Sequence, residues 1–406
     1  MSTRPVIAWP PIGASTAEVV ADLDVLHRAL DGSGPAIATA GIIDPERTPT
    51  VPAQAAVVIG TSGTTGTPKP ALLPASALRM GRTGVHDVGG GPGQWMLAVP
   101  PSHITGLCVI LRSLHAGFRP VPLPAGHFDA ARFVAATREL DPRADRHYTT
   151  LVPTQLRRVM ASAEGLAAAR EYTRILVGAA PLPPADREAA EAHGIRILEG
   201  YGLSETAGGC VYDGLPLPGA HLHLDPLPAN DDIGRTTQQK ASGRIVLGGD
   251  MVALGYLDRP EHDAEFTTDQ TGMRWFRTHD HGQLDSDGRL RVLGRLDDLI
   301  NTGGLKVAPT VVEDAVARIK PPGLRDVLAV GIPDPEWGEA VALLVAASPG
   351  ENTPSHGELR AALADHLPAH ALPKVVVEVE AIPTTGPGKP DRAQARRWLA
   401  SGALSL

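Results

Sequence analysis

A loop rich in hydroxyls and glycines carries the first chemistry that the sequence suggests. Residues 61–69 read TSGTTGTPK and follow the apolar run AAVVI, which is typical of a buried strand. Hydroxyls, backbone N–H groups and the ammonium of Lys69 together make a donor-rich turn that suits a polyphosphate. The loop is not a Walker motif, because Pro68 precedes the lysine and Pro70 follows it. The alternative is a solvated Ser/Thr/Gly turn.

The loop resembles the phosphate loop of the adenylate-forming superfamily, which includes acyl-CoA synthetases, firefly-type luciferases and the adenylation domains of peptide synthetases. The superfamily pattern is TSG(S/T)TGxPKG, and Pro70 stands in place of its last glycine. The resemblance implies that the nucleotide is ATP and that Lys69 acts in catalysis. The residues expected to bind the phosphates are Thr61, Ser62, Gly63, Thr64, Thr65 and Gly66.

A second motif, GYGLSET, begins at Gly200 and is similar to the superfamily's YGxTE segment. The resemblance implies that Tyr201, flanked by Gly200 and Gly202, packs on adenine and that Ser204 lies near the α-phosphate. It also implies that Glu205 acts in catalysis and holds Mg²⁺. A carboxylate beside a polyphosphate requires a cation between them, because the two anions would otherwise repel.

Two further motifs carry the expected ribose site. WFRTHD ends at Asp280 and is similar to YRTGD, while GRLDD contains Arg295 and is similar to GRxDD. The resemblance implies that Asp280 and Arg295 contact the ribose hydroxyls and that Asp297 is a hinge between domains. His279 stands where the superfamily usually has glycine. A metal site at His279 and His281 is disfavoured, because adjacent residues rarely converge on one ion.

The last two motifs contain lysines. GGLKV spans Gly303, Gly304 and Lys306, and the resemblance implies that the glycine pair lets the pantetheine of coenzyme A pass close to the backbone. PTTGPGKPDR matches PxxxxGKxxR, and Lys389 would reach the active site for adenylation. Lys69, Lys306 and Lys389 are three of only six lysines, and all three lie in superfamily motifs.

The segment LSETAGGCVYDG resembles the o-succinylbenzoate–CoA ligases of menaquinone biosynthesis, in which CGGCVYDG commonly follows SET. The resemblance implies an acid pocket at Ala207, Gly208 and Gly209, whose small side chains leave room for an aromatic acid. His103 is either a further lining residue or a satisfied core histidine. The candidates for holding the second carboxylate of the acid are Arg157, Arg158 and His103.

The predicted strands and helices around these motifs indicate an α/β fold. Apolar runs alternate with helical patterns up to about residue 198, which predicts a largely parallel sheet. Strand-like pieces after residue 210 predict a smaller antiparallel β subdomain, and residues from about 295 predict a compact α+β region. By resemblance, residues 1–296 form the ATP- and acyl-binding domain and residues 297–406 a mobile C-terminal domain. The predicted helices are 128–140, 154–161 (capped by Thr154), 184–193, 309–319 and 355–366.

Composition narrows the function classes. The 406 residues suffice for two or three domains, and the net charge of −8 makes nucleic acid a poor candidate partner. Two cysteines, Cys108 and Cys210, exclude a disulfide framework, and neither is expected to act as a nucleophile. No apolar stretch is long enough for a membrane span or a secretory signal, so a cytoplasmic location is expected. About sixty residues precede the loop, which implies a trimmed N-terminal subdomain of the short actinobacterial type.

The function implied is an ATP-dependent acid–CoA ligase that works through an acyl-adenylate, with ATP, Mg²⁺ and coenzyme A as cofactor and co-substrates. A small carboxylic acid is the expected partner, and a homo-oligomer is left open. Three alternatives remain: a CoA ligase for another aryl or acyl acid, an adenylation enzyme that loads a carrier protein, and a non-catalytic nucleotide-binding protein. Only Pro70 and His279 favour the last.

Overall fold

The computed structural model describes residues 2–11, 14–39, 41–61, 68–227, 242–348, 350–385 and 389–400. The backbone packs as two compact units. The first comprises Met1–His223 and Val246–Arg277, and the second comprises Leu224–Ile245 and Thr278–Leu406. This division of packing lies at different residues from the predicted domain boundary at 296, which stays a prediction together with the hinge at Asp297.

The first sheet of unit 1 carries the phosphate loop. Its order is β3-β1-β2-β4-β5, with β1, β2 and β4 parallel and β5 antiparallel to β4. The run AAVVIG forms β4 because its apolar residues are covered on both faces, as in a fully buried strand. The strands are β1 (Thr3–Ala8), β2 (Ala36–Ala38), β3 (Thr50–Pro52), β4 (Ala55–Gly60) and β5 (Pro70–Pro74). The helices of this region are α1 (Thr16–Ala21), α2 (Asp24–Asp31) and α3 (Ala75–Gly89).

The second sheet of unit 1 confirms the predicted parallel core. Its order is β12-β11-β10-β9-β8-β6-β7, and β6 to β10 pair in parallel. The strands are β6 (Gln94–Leu97), β7 (Val121–Pro122), β8 (His147–Leu151), β9 (Arg174–Val177), β10 (Ile197–Leu203), β11 (Gly208–Tyr212) and β12 (Leu215–Pro216). The helices are α4 (Ile104–His115), α5 (Ala130–Arg138), α6 (Pro153–Met160), α7 (Ala163–Arg170) and α8 (Pro184–Ala192).

The N-cap prediction for Thr154 is wrong. Helix α6 begins one residue earlier, at Pro153, and its N-cap is Val152. Proline is favoured at the first helical position because its missing N–H would have no intrahelical partner there. The side chain of Gln155 accepts a hydrogen bond from the Val152 N–H at 2.9 Å, which supplies the reciprocal contact of a capping box.

Antiparallel pairing follows the α/β core, as predicted. The pairs β15–β16 and β16–β17 are antiparallel. The boundary between the two units falls inside β13, β14 and β16. The strands are β13 (His221–Asp225), β14 (Ser242–Gly248), β15 (Phe266–Thr268), β16 (Arg274–Leu284) and β17 (Leu290–Arg295).

Unit 2 contains the predicted α+β region. Its sheet has the order β19-β18-β21-β20, with β22 parallel to β21. Helix α9 has the predicted bounds, whereas α10 starts after its cap Ser355 and ends three residues before the predicted end. The strands are β18 (Ile300–Thr302), β19 (Leu305–Val307), β20 (Leu324–Asp334), β21 (Gly338–Ala347), β22 (Val375–Glu378), β23 (Thr384–Thr385) and β24 (Lys389–Pro390). The helices are α9 (Pro309–Ile319), α10 (His356–Leu363) and α11 (Arg392–Ala400).

None of the helices in the described ranges is both long enough and apolar enough to cross a membrane.

Candidate active site

The neck of the phosphate loop is closed by two hydrogen bonds between Thr61 and Lys69. The Thr61 N–H donates to the Lys69 carbonyl at 3.0 Å, and the Lys69 N–H donates to Thr61 Oγ1 at 3.2 Å. The loop therefore joins the antiparallel strands β4 and β5 at a fixed neck. The other predicted phosphate ligands lie outside the described residues; they are Ser62, Gly63, Thr64, Thr65 and Gly66.

Ser204 joins the second motif to this neck. Its hydroxyl donates to the carbonyl of Gly60, the last residue of β4, at 3.0 Å, although 144 positions separate the two residues. Ser204 begins a short 3-10 turn that follows β10. Two predicted catalytic segments, from different sheets of unit 1, therefore lie side by side.

Glu205 is the centre of a buried charged cluster in unit 1. It is 6 % exposed, and its Oε1 accepts a hydrogen bond of 2.6 Å from the hydroxyl of Tyr256. The same hydroxyl lies 3.3 Å from Oε2 of Glu265. Lys69 Nζ lies 3.5 Å from that Glu265 oxygen and 4.4 Å from the centre of the Tyr256 ring. Lys69, Glu205, Tyr256 and Glu265 thus form one group, which we call the carboxylate cluster.

Burial is the main cause of the shifted pKa values in the carboxylate cluster. Burial raises the pKa of Glu205, while the hydrogen bond from Tyr256 and the charge of Lys69 act in the opposite direction. Burial raises the pKa of Tyr256 as well, and the carboxylates of Glu205 and Glu265 raise it further. The phenol therefore keeps its proton and uses it in a hydrogen bond to the nearer carboxylate, that of Glu205. His262 Nδ1 lies 2.8 Å from the other oxygen of Glu265, so Glu265 has two basic neighbours, Lys69 and His262. The side chain of Glu205 is bonded to a neutral phenol and can accept a cation.

The carboxylate cluster fits a magnesium–nucleotide site. Mg²⁺ in such sites takes one or two carboxylates, and its other ligands are phosphate oxygens and water. Glu205 offers a hard anionic oxygen beside the loop neck, and Tyr256 links it to Glu265. In the described part of the chain, no group of three or more His, Cys, Asp and Glu side chains could hold a metal ion. A Mg²⁺ ion bound by Glu205 would therefore take its other ligands from phosphate and water.

Sequence reasoning missed Tyr256 and Glu265. Tyr256 is held at this place by an isolated bridge to Ala71 on β5, which lies far away in the sequence. The scarcity of tyrosine, with five in the chain, is the one signal that marks it. Local sequence around Glu265 resembles that of any exposed acidic turn, so the pattern alone does not identify it.

The predicted acid pocket is a tightly packed turn. Ala207 adopts φ 50° and Gly208 φ 99°, both in the left-handed region that favours glycine. A Cβ on Gly208 would lie 2.9 Å from Cys108 Sγ, and a Cβ on Gly209 would lie 2.4 Å from the hydroxyl oxygen of Tyr212. Close packing therefore requires the small residues whether or not they also border a substrate.

Other residues predicted for adenine and acid binding also lie in unit 1. Gly200, Tyr201 and Gly202 belong to β10, and Tyr201 pairs with Val211 across to β11. His103 is half-buried and immediately precedes α4. Two of the candidate cations for the second carboxylate have other partners. The Arg157 Nε lies 2.7 Å from Asp186 Oδ2, and the exposed Arg158 donates to the Phe128 carbonyl.

The predicted ribose residues meet in unit 2. Asp280 and Arg295 are register partners on β16 and β17, and their charged atoms lie 3.6 Å apart. Asp297 Oδ2 lies 2.9 Å from Arg295, while its Oδ1 lies 3.0 Å from His279 Nδ1. The hydrogen bond with His279 and then that with Arg295 lower the pKa of Asp297 to about 2. The histidine that replaces the usual glycine therefore contacts the predicted hinge residue.

The remaining motif residues of unit 2 lie in two hairpins. Gly303 and Gly304 connect β18 to β19 with φ values of 60° and 78°, and a Cβ on Gly303 would lie 2.4 Å from the ring of Trp337. Lys306 pairs with Asn301 in that hairpin. Lys389 lies on β24 opposite Thr385, and its side chain lies outside the described atoms.

Both cysteines are buried, as expected. The Cys108 thiol donates to the Ala207 carbonyl at 3.2 Å. Burial raises the pKa of both thiols, that of Cys210 to about 12. A thiol with such a pKa is a poor nucleophile, since the thiolate is the reactive form.

Comparison with known proteins identifies the family of this chain. Residues 11–257 match the AMP-binding enzyme family, and residues 312–389 match the AMP-binding enzyme C-terminal domain. The chain is 38 % identical over 404 residues to a probable 2-succinylbenzoate–CoA ligase of Mycobacterium tuberculosis, covering 97 % of this chain and 98 % of that protein.

Two solved structures share the fold. Crystalline ATP-bound MatB from Rhodopseudomonas palustris is 25 % identical, with a TM-score of 0.71 over 84 % of this chain and 68 % of that one. The o-succinylbenzoate CoA synthetase MenE from Bacillus subtilis, in complex with the acyl-adenylate OSB-AMP, is 22 % identical, with a TM-score of 0.70 over 93 % of this chain and 81 % of that one. The chain is therefore a member of the AMP-binding enzyme family and an adenylate-forming ligase.

Proposed function

We propose that this ligase joins a carboxylic acid to coenzyme A at the expense of ATP, and that the acid is 2-succinylbenzoate. The observation that carries the proposal is the meeting of Ser204 and the carboxylate cluster at the neck of the phosphate loop. The substrate assignment is supported by the full-length similarity to the mycobacterial protein and by the AGGCVYDG segment. The product would enter menaquinone biosynthesis.

The first step brings two anions together. An oxygen of the substrate carboxylate attacks the α-phosphorus of ATP, the bond to the β-phosphate oxygen breaks, and pyrophosphate leaves with its electron pair. Lys69 and Lys389 would neutralise the charge that collects on the phosphates, and the hydroxyls of the loop would donate hydrogen bonds to it, which is electrostatic preorganisation. Glu205 would hold Mg²⁺, which when bound supplies Lewis-acid charge neutralisation at the phosphates.

The second step transfers the acyl group. The thiol sulfur of coenzyme A attacks the acyl carbon, its proton is lost to solvent, and AMP leaves with the mixed-anhydride oxygen. Asp280 and Arg295 would bind the ribose, while Gly303, Gly304 and Lys306 would border the pantetheine. Asp297 would act as the hinge between the two steps. No enzyme nucleophile is needed, which agrees with the buried thiols.

The test is ATP-dependent release of pyrophosphate with 2-succinylbenzoate, with and without coenzyme A, followed by mass detection of the thioester. A thioester of 2-succinylbenzoate is the expected product. Turnover only with a different acid would remove the substrate assignment and keep the reaction. Transfer to a carrier protein but not to free coenzyme A would identify a loading enzyme instead, and nucleotide binding without turnover of any acid would refute catalysis.

A further inference from the structure

Glu265 connects the lysine of the phosphate loop to a histidine that the proposed reaction does not use. Lys69 Nζ lies 3.5 Å from Oε2 of Glu265, and His262 Nδ1 lies 2.8 Å from its Oε1. His262 and Glu265 share the short 3-10 turn Pro260–Glu265. The side chain of Glu265 is only 13 % exposed, so its carboxylate lies between two basic groups and largely away from water.

The two basic neighbours of Glu265 differ in their freedom to move. Lys69 ends a flexible stem at the neck of the loop, and its ammonium can turn from Glu265 to a phosphate without any change in the packing of the carboxylate cluster. His262 is held in place. Its backbone N–H donates to the Arg259 carbonyl at 3.0 Å, and its ring packs edge-on against the Tyr256 ring, with the centroids 5.5 Å apart.

Departure of Lys69 would leave Glu265 without its ammonium. A largely buried carboxylate that loses its cation is costly, because neither water nor an opposite charge then stabilises it. The Tyr256 hydroxyl compensates little, since it lies 3.3 Å from Glu265 but only 2.6 Å from Glu205. His262 can supply the missing charge, because an imidazole gains a proton near neutral pH.

We infer that His262 is a positioning residue for nucleotide binding, which takes up a proton and neutralises Glu265 when Lys69 turns to the phosphates. The inference rests on the proposed function, which brings ATP to Lys69. A carboxylate only accepts hydrogen bonds, so the neutral ring donates from Nδ1 and the new proton adds at Nε2. The proton comes from solvent, which reaches the 31 % exposed side chain of His262.

The groups around His262 leave the imidazole as the site of this proton. In the described residues, the titratable groups in contact with it are Glu265 and the Tyr256 phenol, with Lys69 and Glu205 behind them. Burial and the two carboxylates raise the pKa of the phenol, so the phenol stays neutral. The turn itself also carries charged side chains, which are Arg259, Glu261 and Asp263.

The test measures proton uptake when the nucleotide binds. The probe is α,β-methylene-ATP with Mg²⁺, which cannot release pyrophosphate, and no acid or coenzyme A is added. Calorimetry at pH 7.5 in HEPES and in Tris, which differ in ionisation enthalpy, gives the number of protons taken up. The wild type should take up roughly half to one proton per nucleotide bound. His262→Gln, which can still donate a neutral hydrogen bond, should lose this uptake and bind the nucleotide about 5- to 10-fold more weakly.

A lysine at the same position separates charge from structure. His262→Lys carries a permanent cation, so it should bind the nucleotide within about 2-fold of the wild type and yet take up no proton. The control is His356→Gln, since His356 Nε2 bonds to a neutral group, the Pro373 carbonyl, at 3.1 Å. This control should keep both the affinity and the proton uptake of the wild type.

Undiminished uptake in His262→Gln would overturn the inference, because the proton would then go to another group. Nucleotide binding by the wild type without uptake would overturn it as well. Should His262→Gln fail to fold, as judged by thermal unfolding, uptake in His262→Lys equal to that of the wild type would be decisive against it. A folded wild type that binds no nucleotide would refute the proposed function and the inference together, whereas uptake that depends on His262 upholds the inference whichever acid the enzyme turns over.

Discussion

The hydroxyl of Tyr256 should be worth one to two orders of magnitude in adenylation. Tyr256→Phe removes only this oxygen, which donates to Glu205 at 2.6 Å and lies 3.3 Å from Glu265. A hydrogen bond to a charged group contributes about 1.5–3 kcal/mol. If this hydrogen bond stabilises the transition state but not the bound substrates, its removal should lower the rate of adenylation by about 10- to 150-fold. The ring remains, so the packing of Phe266 against it should persist.

The variant should also change the pH profile. Burial raises the pKa of Glu205, and the Tyr256 hydrogen bond opposes that rise. Without the phenol, the pKa of Glu205 rises further, so more of the carboxyl group is protonated at low pH. The loss of activity in Tyr256→Phe should therefore be larger at pH 6 than at pH 9. The concentration of Mg²⁺ needed for half-maximal rate should rise for the same reason.

The assay is pyrophosphate release in the absence of coenzyme A, with Mg²⁺ titrated at each pH. The matched control is Tyr172→Phe, since that buried hydroxyl bonds only to the neutral Thr137 at 2.8 Å among the described residues. Both variants should unfold at similar urea concentrations. The reasoning is refuted if the two variants lose adenylation by the same factor, or if the deficit of Tyr256→Phe is independent of pH and Mg²⁺.

Three further predictions concern stability and the half-reactions. Burial, and then the charge of Arg112, lowers the pKa of His86 from 6.5 to about 4. The unfolded chain therefore binds a proton that the folded chain does not, and between pH 7 and 4 the free energy of unfolding should fall by about 3 kcal/mol through this group. Urea unfolding of wild type and His86→Gln should show a pH-dependent difference; a constant difference contradicts it. Gly209→Ala should destabilise the protein by ~1–3 kcal/mol, because its Cβ would meet Tyr212, and an unchanged urea midpoint would disprove the contact. Lys389→Ala should abolish adenylation yet spare thioester formation from supplied acyl-adenylate, and equal losses in the two half-reactions would remove its proposed role.

Sequence reasoning worked where the information is local. The apolar run of β4 and the helix of residues 309–319 follow from periodicity, because burial on one or both faces imposes it. Gly303 and Gly304 were singled out by the family resemblance, and their positive φ values are the physical reason for glycine at this turn. The N-cap of α6 was placed wrongly because proline at the first helical position competes with a threonine cap one residue later.

Sequence reasoning named Lys69 and Glu205 but could not predict their contacts with Tyr256 and Glu265, because these residues meet only through tertiary pairing. Tyr256 reaches Glu205 after the chain bridges Ala71 on β5, and no local pattern encodes that bridge.

The cluster also explains why residue 69 is a lysine in a chain whose basic residues are mostly arginine. Lys69 Nζ contacts Glu265 at 3.5 Å and the face of Tyr256, which are two weak attractions on a flexible stem. A guanidinium would pair with Glu265 through two parallel hydrogen bonds and would be held there more firmly. An ammonium keeps a compact charge that can exchange a carboxylate for a phosphate without breaking a rigid fork. We propose that the residue type follows from a need to neutralise Glu265 and, when it binds, the nucleotide in turn.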